Sequence, residues 1–116
     1  MESERRRAER NIVHISVHWQ GLLSERKGHI SDISATGCFV LSGGDLSPGE
    51  LISLEMELPG VMKLRVWAKV VYVIPEMGFA VRFRDMTDTD ETRLERLIEL
   101  AKTDFPMRDE IKNPTG

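Results

Sequence analysis

A single cysteine, Cys38, stands in 116 residues, so no internal disulfide framework can staple the chain, and a lone thiol fits a reducing compartment. Apolar runs are only a few residues long, far short of the roughly 20 residues that a membrane helix needs. Aromatic residues are scarce at 6%, and positive charge is not in excess: 16 Lys and Arg face 19 Asp and Glu, a net charge of −3. No global basic field therefore gathers nucleic acid or an anionic membrane, and any affinity for polyanions must come from a local cluster. The opening MESERRRAER carries charge where a secretory signal carries an apolar stretch, so a cytoplasmic location is expected. These absences exclude a helical membrane protein, a disulfide miniprotein, a multidomain enzyme and a globally basic DNA binder. What remains is a soluble balance of 41% hydrophobic and 30% charged residues, enough for one domain with one modest core.

Residues 1–10 have little to bury. Arg5, Arg6, Arg7 and Arg10 stand against Glu2, Glu4 and Glu9, and such a segment is expected to be a flexible arm. Alternation follows. In NIVHISVHWQ, Val13, Ile15, Val17 and Trp19 take one face, the pattern of a half-buried antiparallel strand. A turn at Gly21 or around Ser24–Gly28 leads to a second strand expected near His29, and a tight turn at Ala35–Gly37 leads to a third through Phe39. The GGDLSPGE stretch is a loop. Beyond it Ile52, Leu54, Met56 and Leu58 alternate, then Leu64, Val66, Ala68, Val70 and Tyr72, and finally Met77, Phe79, Val81 and Phe83. Six such segments predict a small antiparallel β-barrel or sandwich, and closure into a barrel would also remove exposed edges. The period then changes. Leu94, Leu97, Ile98 and Ala101 recur at helical spacing, and Asp88 three residues before Glu91 predicts a capping box, hence one helix over 88–103 packed on the barrel. With Pro106 and Pro114, residues 104–116 are expected to be an irregular tail. The expected organisation is an arm over 1–10, a barrel plus helix over 11–103, and that tail.

Little in the chain supports catalysis. His14 and His18 lie four apart on a strand, which separates them, and the preferred reading is solvated histidines rather than metal ligands. Cys38 reads as a buried structural thiol. No glycine-rich loop opens a helix, no nucleophile elbow is present, and neither a metal nor an enzymatic activity is expected.

Two segments carry more. Arg6 and Arg10 lie four apart on the arm; arginine stacks on aromatic faces, forks onto phosphate, and reads the N7 and O6 edge of guanine. The plain alternative is a solubilising charged terminus. The second segment is Asp32-Ile33-Ser34-Ala35-Thr36-Gly37. On an extended strand Asp32 and Ser34 share a side; a carboxylate accepts from guanine N1–H and N2–H, and a serine hydroxyl adds a further partner. Gly37 supplies either a positive φ or room for close backbone approach. The plain alternative here is an ordinary turn between strands.

Taken together, Arg6-x-x-x-Arg10 and Asp32-x-Ser34-x-x-Gly37, flanking an alternating strand, resemble the RxxxR and [D/N]xSxxG pair of the PilZ domain, the bacterial receptor module for cyclic di-GMP. Gly-Cys-Phe-Val after the second motif and Gly78–Phe83 leading into a helix fit the same family, so the resemblance covers residues 5–103. It implies a six-stranded PilZ-type barrel with a C-terminal helix. It further implies that Arg6 and Arg10 contact guanine edges and phosphates, that Asp32 and Ser34 hold guanine from the strand side, and that Gly37 keeps the turn in shape. Arg5 and Arg7 become candidate helpers. The expected output is ordering of the arm and a changed surface for a protein effector, with a homodimer also open through Leu94, Leu97 and Ile98, although their packing on the barrel is preferred. The alternative is a PilZ-like adaptor that works by protein contact without ligand. An RNA-binding barrel using Trp67 as a stacking platform is disfavoured by the acidity of the chain, Trp67 being expected instead in the core or beneath the helix.

Overall fold

A computed structural model describes residues 9–115 of the chain, with side chains described over 9–102. Six strands form a closed antiparallel barrel: β1 (Asn11–Gln20), β2 (Glu25–Ile33), β3 (Gly37–Leu41), β4 (Leu51–Leu58), β5 (Met62–Ile74) and β6 (Gly78–Arg84). Helix α1 spans Asp88–Thr115. Around the barrel the order is β1-β2-β3-β6-β5-β4, closed by pairing of β4 with β1.

The alternating residues fill the interior. Val13, Ile15, Val17 and Trp19 of β1, Ile52, Leu54, Met56 and Leu58 of β4, and Leu64, Val66, Ala68 and Val70 of β5 are all buried. Trp19 anchors this core: its indole meets Phe79 edge-on with centroids 5.3 Å apart, and its Nε1–H donates to Ser42 Oγ at 3.0 Å. A buried indole N–H that lacked such a partner would cost about 1–3 kcal/mol.

Inward–outward alternation of the side chains fails in β2 and in β5, each time through an extra residue relative to a neighbouring strand, and the β1–β2 register shifts as well between Ile12 and Ile15. Between Ile30 and Asp32 the β2–β3 register shifts around Ser31; between Val70 and Tyr72 the β5–β6 register shifts around Val71. A bulge advances the side-chain phase by one residue. Ile30 and Ile33 therefore both point inward although they are three apart, while Asp32 between them lies on the outer face. Tyr72, expected inward in phase with Val70, is instead 46% exposed, and Val73 packs against the core in its place. Met77, also expected inward, lies in the turn before β6 and is exposed. Trp67 is a further correction. It lies between the inward residues Val66 and Ala68, which the period of two sends to the outside, and half of its surface is exposed.

The second strand starts at Glu25 rather than near His29, because Gly21 N–H bonds to Ser24 O at 2.8 Å and closes the turn at once. The helix starts at Asp88 as expected, but its cap lies one residue earlier. Asp90 N–H donates to Thr87 Oγ1 at 3.0 Å while Thr87 N–H donates to Asp90 Oδ2 at 3.2 Å. The capping box is thus Thr87 with Asp90, not Asp88 with Glu91. At its other end the helix continues to Thr115 where an irregular tail was expected. Proline removes a single donor from a helix, and the good helix formers Met107, Arg108, Glu110 and Lys112 follow Pro106.

Helix α1 packs on β1 and β5, with Leu94, Leu97 and Ala101 buried and Ile98 and Leu100 partly so. Among the described residues no helix is long and apolar enough to cross a membrane. Leu97→Ala should lower the unfolding free energy by about 2–5 kcal/mol, as a fully buried leucine emptied into a cavity does. Urea titration followed by circular dichroism measures this loss.

Candidate functional site

Arg10 sits one residue before β1, and Asp32 near the end of β2. The register brings them together: Asn11 faces Ile33 and Ile12 faces Asp32. The Arg10 guanidinium donates from one NH group to Asp32 Oδ1 across a sequence separation of 22 residues. Asn11 Nδ2 donates to Ile33 O at 3.1 Å and ties the two strand ends together beside that pair. Arg5, Arg6 and Arg7 lie outside the described residues.

Ser34 lies just past β2, and its hydroxyl is committed to the turn. It accepts from Thr36 N–H at 3.1 Å and Gly37 N–H at 3.3 Å, and it hydrogen-bonds Thr36 Oγ1 at 3.1 Å. Ser34 N–H donates to Gly37 O at 2.8 Å, and Phe83 N–H donates to Thr36 O at 2.8 Å, pinning the turn to β6. Gly37 itself shows why no side chain fits: a Cβ there would stand 2.2 Å from Val81 O. Close approach of β3 to β6, not a positive φ, is what requires this glycine. The motif thus divides into Asp32, which presents a carboxylate, and Ser34 with Gly37, which hold the turn in shape.

Beside Asp32 lies a feature not recognised in the sequence. Across the outer face Asp32 is opposite Phe39, Phe39 opposite Ala80, and Ala80 opposite Tyr72. The rings of Phe39 and Tyr72 approach to 6.3 Å between centroids over the small Ala80, which they cover. A carboxylate paired to an arginine therefore borders an aromatic surface. The bulges at Ser31 and Val71 turn both Asp32 and Tyr72 outward, and the only sequence signal was the break in alternation at these two points.

The histidines stand apart from this site. His14 and His29 rings lie 5.1 Å apart on the outer face of β1 and β2, and His18 Nε2 lies 2.9 Å from Glu25 Oε2. Among the described residues no group of three or more His, Cys, Asp or Glu is arranged to hold a metal ion.

The family model of the PilZ domain matches residues 4–100. The chain belongs to the PilZ domain family. Two solved structures share its fold. One is the PilZ domain of CeSA from a cellulose-synthesizing bacterium, at a TM-score of 0.65 and 19% identity over 78% of this chain and 95% of that one. The other is the Bacillus subtilis inhibitor of motility MotI/DgrA, at 0.63 and 19% identity over 90% of this chain and 50% of that one. Among curated proteins no significant match is found.

Within this PilZ domain Cys38 lies inside the barrel opposite Ile33. Burial pushes its thiol far above the ordinary value of 9.0; Asp32 nearby pushes the same way and Arg10 opposes. The sign follows from linkage. The folded state holds the proton more tightly than the unfolded state, so this contribution is fully present below about pH 9 and lost as pH rises further, by up to about 1.4 kcal/mol per pH unit. Cys38→Ser should flatten the alkaline limb of a stability–pH profile measured by denaturant titration.

Ser34→Ala leaves Thr36 N–H and Gly37 N–H without their acceptor and should cost about 1–3 kcal/mol of stability. Gly37→Ala should cost more, since Val81 would have to move. Thermal melts of both variants beside the parent give the order.

Proposed function

We propose that this PilZ domain is a receptor for cyclic di-GMP. The observation that carries the reading is the meeting of the two motifs: Arg10 from the arm and Asp32 from the strand share one ion pair beside the Phe39–Tyr72 surface. In this reading Asp32 accepts from guanine N1–H and N2–H, and a base stacks on the exposed Tyr72 ring. Arg6 and Arg10 close over the ligand, reading guanine edges and pairing with phosphate oxygens, and Arg5 and Arg7 help to screen phosphate charge. Ser34 and Gly37 act by keeping Asp32 and the turn in place, and the Ser34 hydroxyl becomes a ligand contact only by giving up part of its turn network.

The Arg10–Asp32 pair gives the mechanism its switch. The Arg10 side chain is 61% exposed and that of Asp32 24%, and exposed ion pairs contribute only about 0–1 kcal/mol. Opening the pair costs little. Guanine then takes the Asp32 carboxylate while phosphate takes the Arg10 guanidinium, so two partners that neutralised each other each gain a ligand group. Charge-assisted hydrogen bonds contribute about 1.5–3 kcal/mol each, and closing the arm costs about 2–5 kcal/mol. A few such bonds plus stacking reach the roughly −8 kcal/mol of a micromolar complex. The signal leaves as a repositioned arm and an altered surface offered to a protein partner. No cofactor is needed beyond the ligand itself.

Calorimetric titration of cyclic di-GMP, with GMP, GTP and cyclic di-AMP as controls, should show selective binding at micromolar concentration or tighter. Arg10→Ala should weaken it at least about tenfold, a bidentate arginine–guanine contact contributing roughly 1–3 kcal/mol. Tyr72→Ala should weaken it too, while leaving the fold intact. A folded chain that gives no heat favours the ligand-independent adaptor instead.

A further inference from the structure

A second surface carries charge that the fold does not use. On the outer face of β5 stand Arg65, Trp67 and Lys69, and on β6 Arg82 and Arg84, all exposed. The register sets them in rows. Leu51, Lys69 and Arg82 lie side by side across β4, β5 and β6, and Ser53, Trp67 and Arg84 form the next row. Lys69 is thus directly opposite Arg82, an arrangement of like charges that weakens a sheet. Among the described residues no ion pair offsets it. Ion pairs among the described residues join Arg10 to Asp32 and His18 to Glu25, and none of these four cations takes part in one. Carboxylates stand at the margin: Glu55 across from Arg65, Asp85 immediately after Arg84, and Glu91, which lines a cleft together with Arg82.

At the centre of these cations Trp67 is 50% exposed, and Leu51 beside it 51%. Ser53, on the same outer face, is buried at 7%, its neighbours across the strands being Trp67 and Gln20. An apolar centre built on tryptophan with an arginine-rich rim is the anatomy of a protein–protein hot spot. The whole chain has a net charge of −3, so this face opposes the overall sign and selects a partner by local complementarity.

We propose that the β5–β6 face around Trp67 docks an acidic segment of a protein partner, carboxylates meeting Arg65, Lys69, Arg82 and Arg84 and an apolar side chain covering Trp67 and Leu51. A nucleic-acid strand fits less well. Glu55 and Glu57 on β4 and Asp85 beyond β6 fence the cations into a short patch and give a phosphate backbone no continuous path. Arg82 also lies opposite Gly37 and lines, with Ala35 and Thr36, a cleft of about 230 Å³. The docking face therefore shares an edge with the motif turn, although the proposal does not depend on what that turn binds.

Selection of random twelve-residue displayed peptides on the full chain tests this. Selected sequences should be rich in Asp and Glu around an aromatic or aliphatic residue. Synthetic copies should bind at least tenfold more weakly to Trp67→Ala and to the Lys69→Glu/Arg82→Glu double variant, and more weakly as salt rises. Circular dichroism checks that both variants fold, and Lys69→Ala/Arg82→Ala gives the same readout should the charge reversal unfold. Failure to enrich any peptide, peptides without acidic bias, or equal binding to parent and variants overturns the proposal. So does tighter binding of polyuridylate or phosphatidylglycerol vesicles through the same residues.

Discussion

The period of two along each strand governs this protein, and its two interruptions in β2 and β5 matter as much as its regularity. A closed barrel leaves every residue a choice between a packed interior and the outer face. Where alternation holds, side chains such as Ile15, Trp19, Leu54 and Val66 pack inside with almost no exposure. Where an extra residue enters, at Ser31 and Val71, everything beyond it changes sides. Without the first bulge Asp32 would point into the core, where an unpaired carboxylate is prohibitively costly. Without the second, Tyr72 would be inside and Val73 out. The candidate site is built from those two displacements.

Around it, polar groups fall into two sets. Ser34, Thr36 and Gly37 bond among themselves and to β6, so the turn is rigid before anything binds. Arg10 and Asp32 satisfy each other in a pair exposed enough to be exchanged for better partners. A rigid turn next to an exchangeable ion pair suits a binding module, because specificity needs fixed geometry while response needs a bond that opens cheaply.

The likeness to other PilZ domains is one of fold: at 19% identity the barrel and helix persist while most side chains differ. A barrel tolerates this, since its interior asks only for apolar residues of suitable volume in the right phase. Its outer face is under no such demand. The cations around Trp67 belong to that face, where packing neither requires nor forbids them.

The six strands, most of their inward faces and the helix stripe were legible in the sequence, because hydrophobic periodicity is a local property written residue by residue; Tyr72 and Met77 are the exceptions. The sequence also marked Arg6, Arg10, Asp32, Ser34 and Gly37 through the spacing of two motifs. What Arg10, Asp32, Ser34 and Gly37 do to one another was settled by the tertiary structure alone. Cross-strand register paired Arg10 with Asp32, and hydrogen bonding within the turn committed the Ser34 hydroxyl to its own loop. The approach of β6 excluded any side chain at position 37. Bulges moved Tyr72 outward beside Phe39, and Thr87 with Asp90 took the helix cap from Asp88 and Glu91. Trp67 is the contrary case: its size suggests the core, but the period of two, already present in the sequence, sends it outside. Register, bulges and caps depend on which strand lies beside which, and that is settled only when the barrel closes.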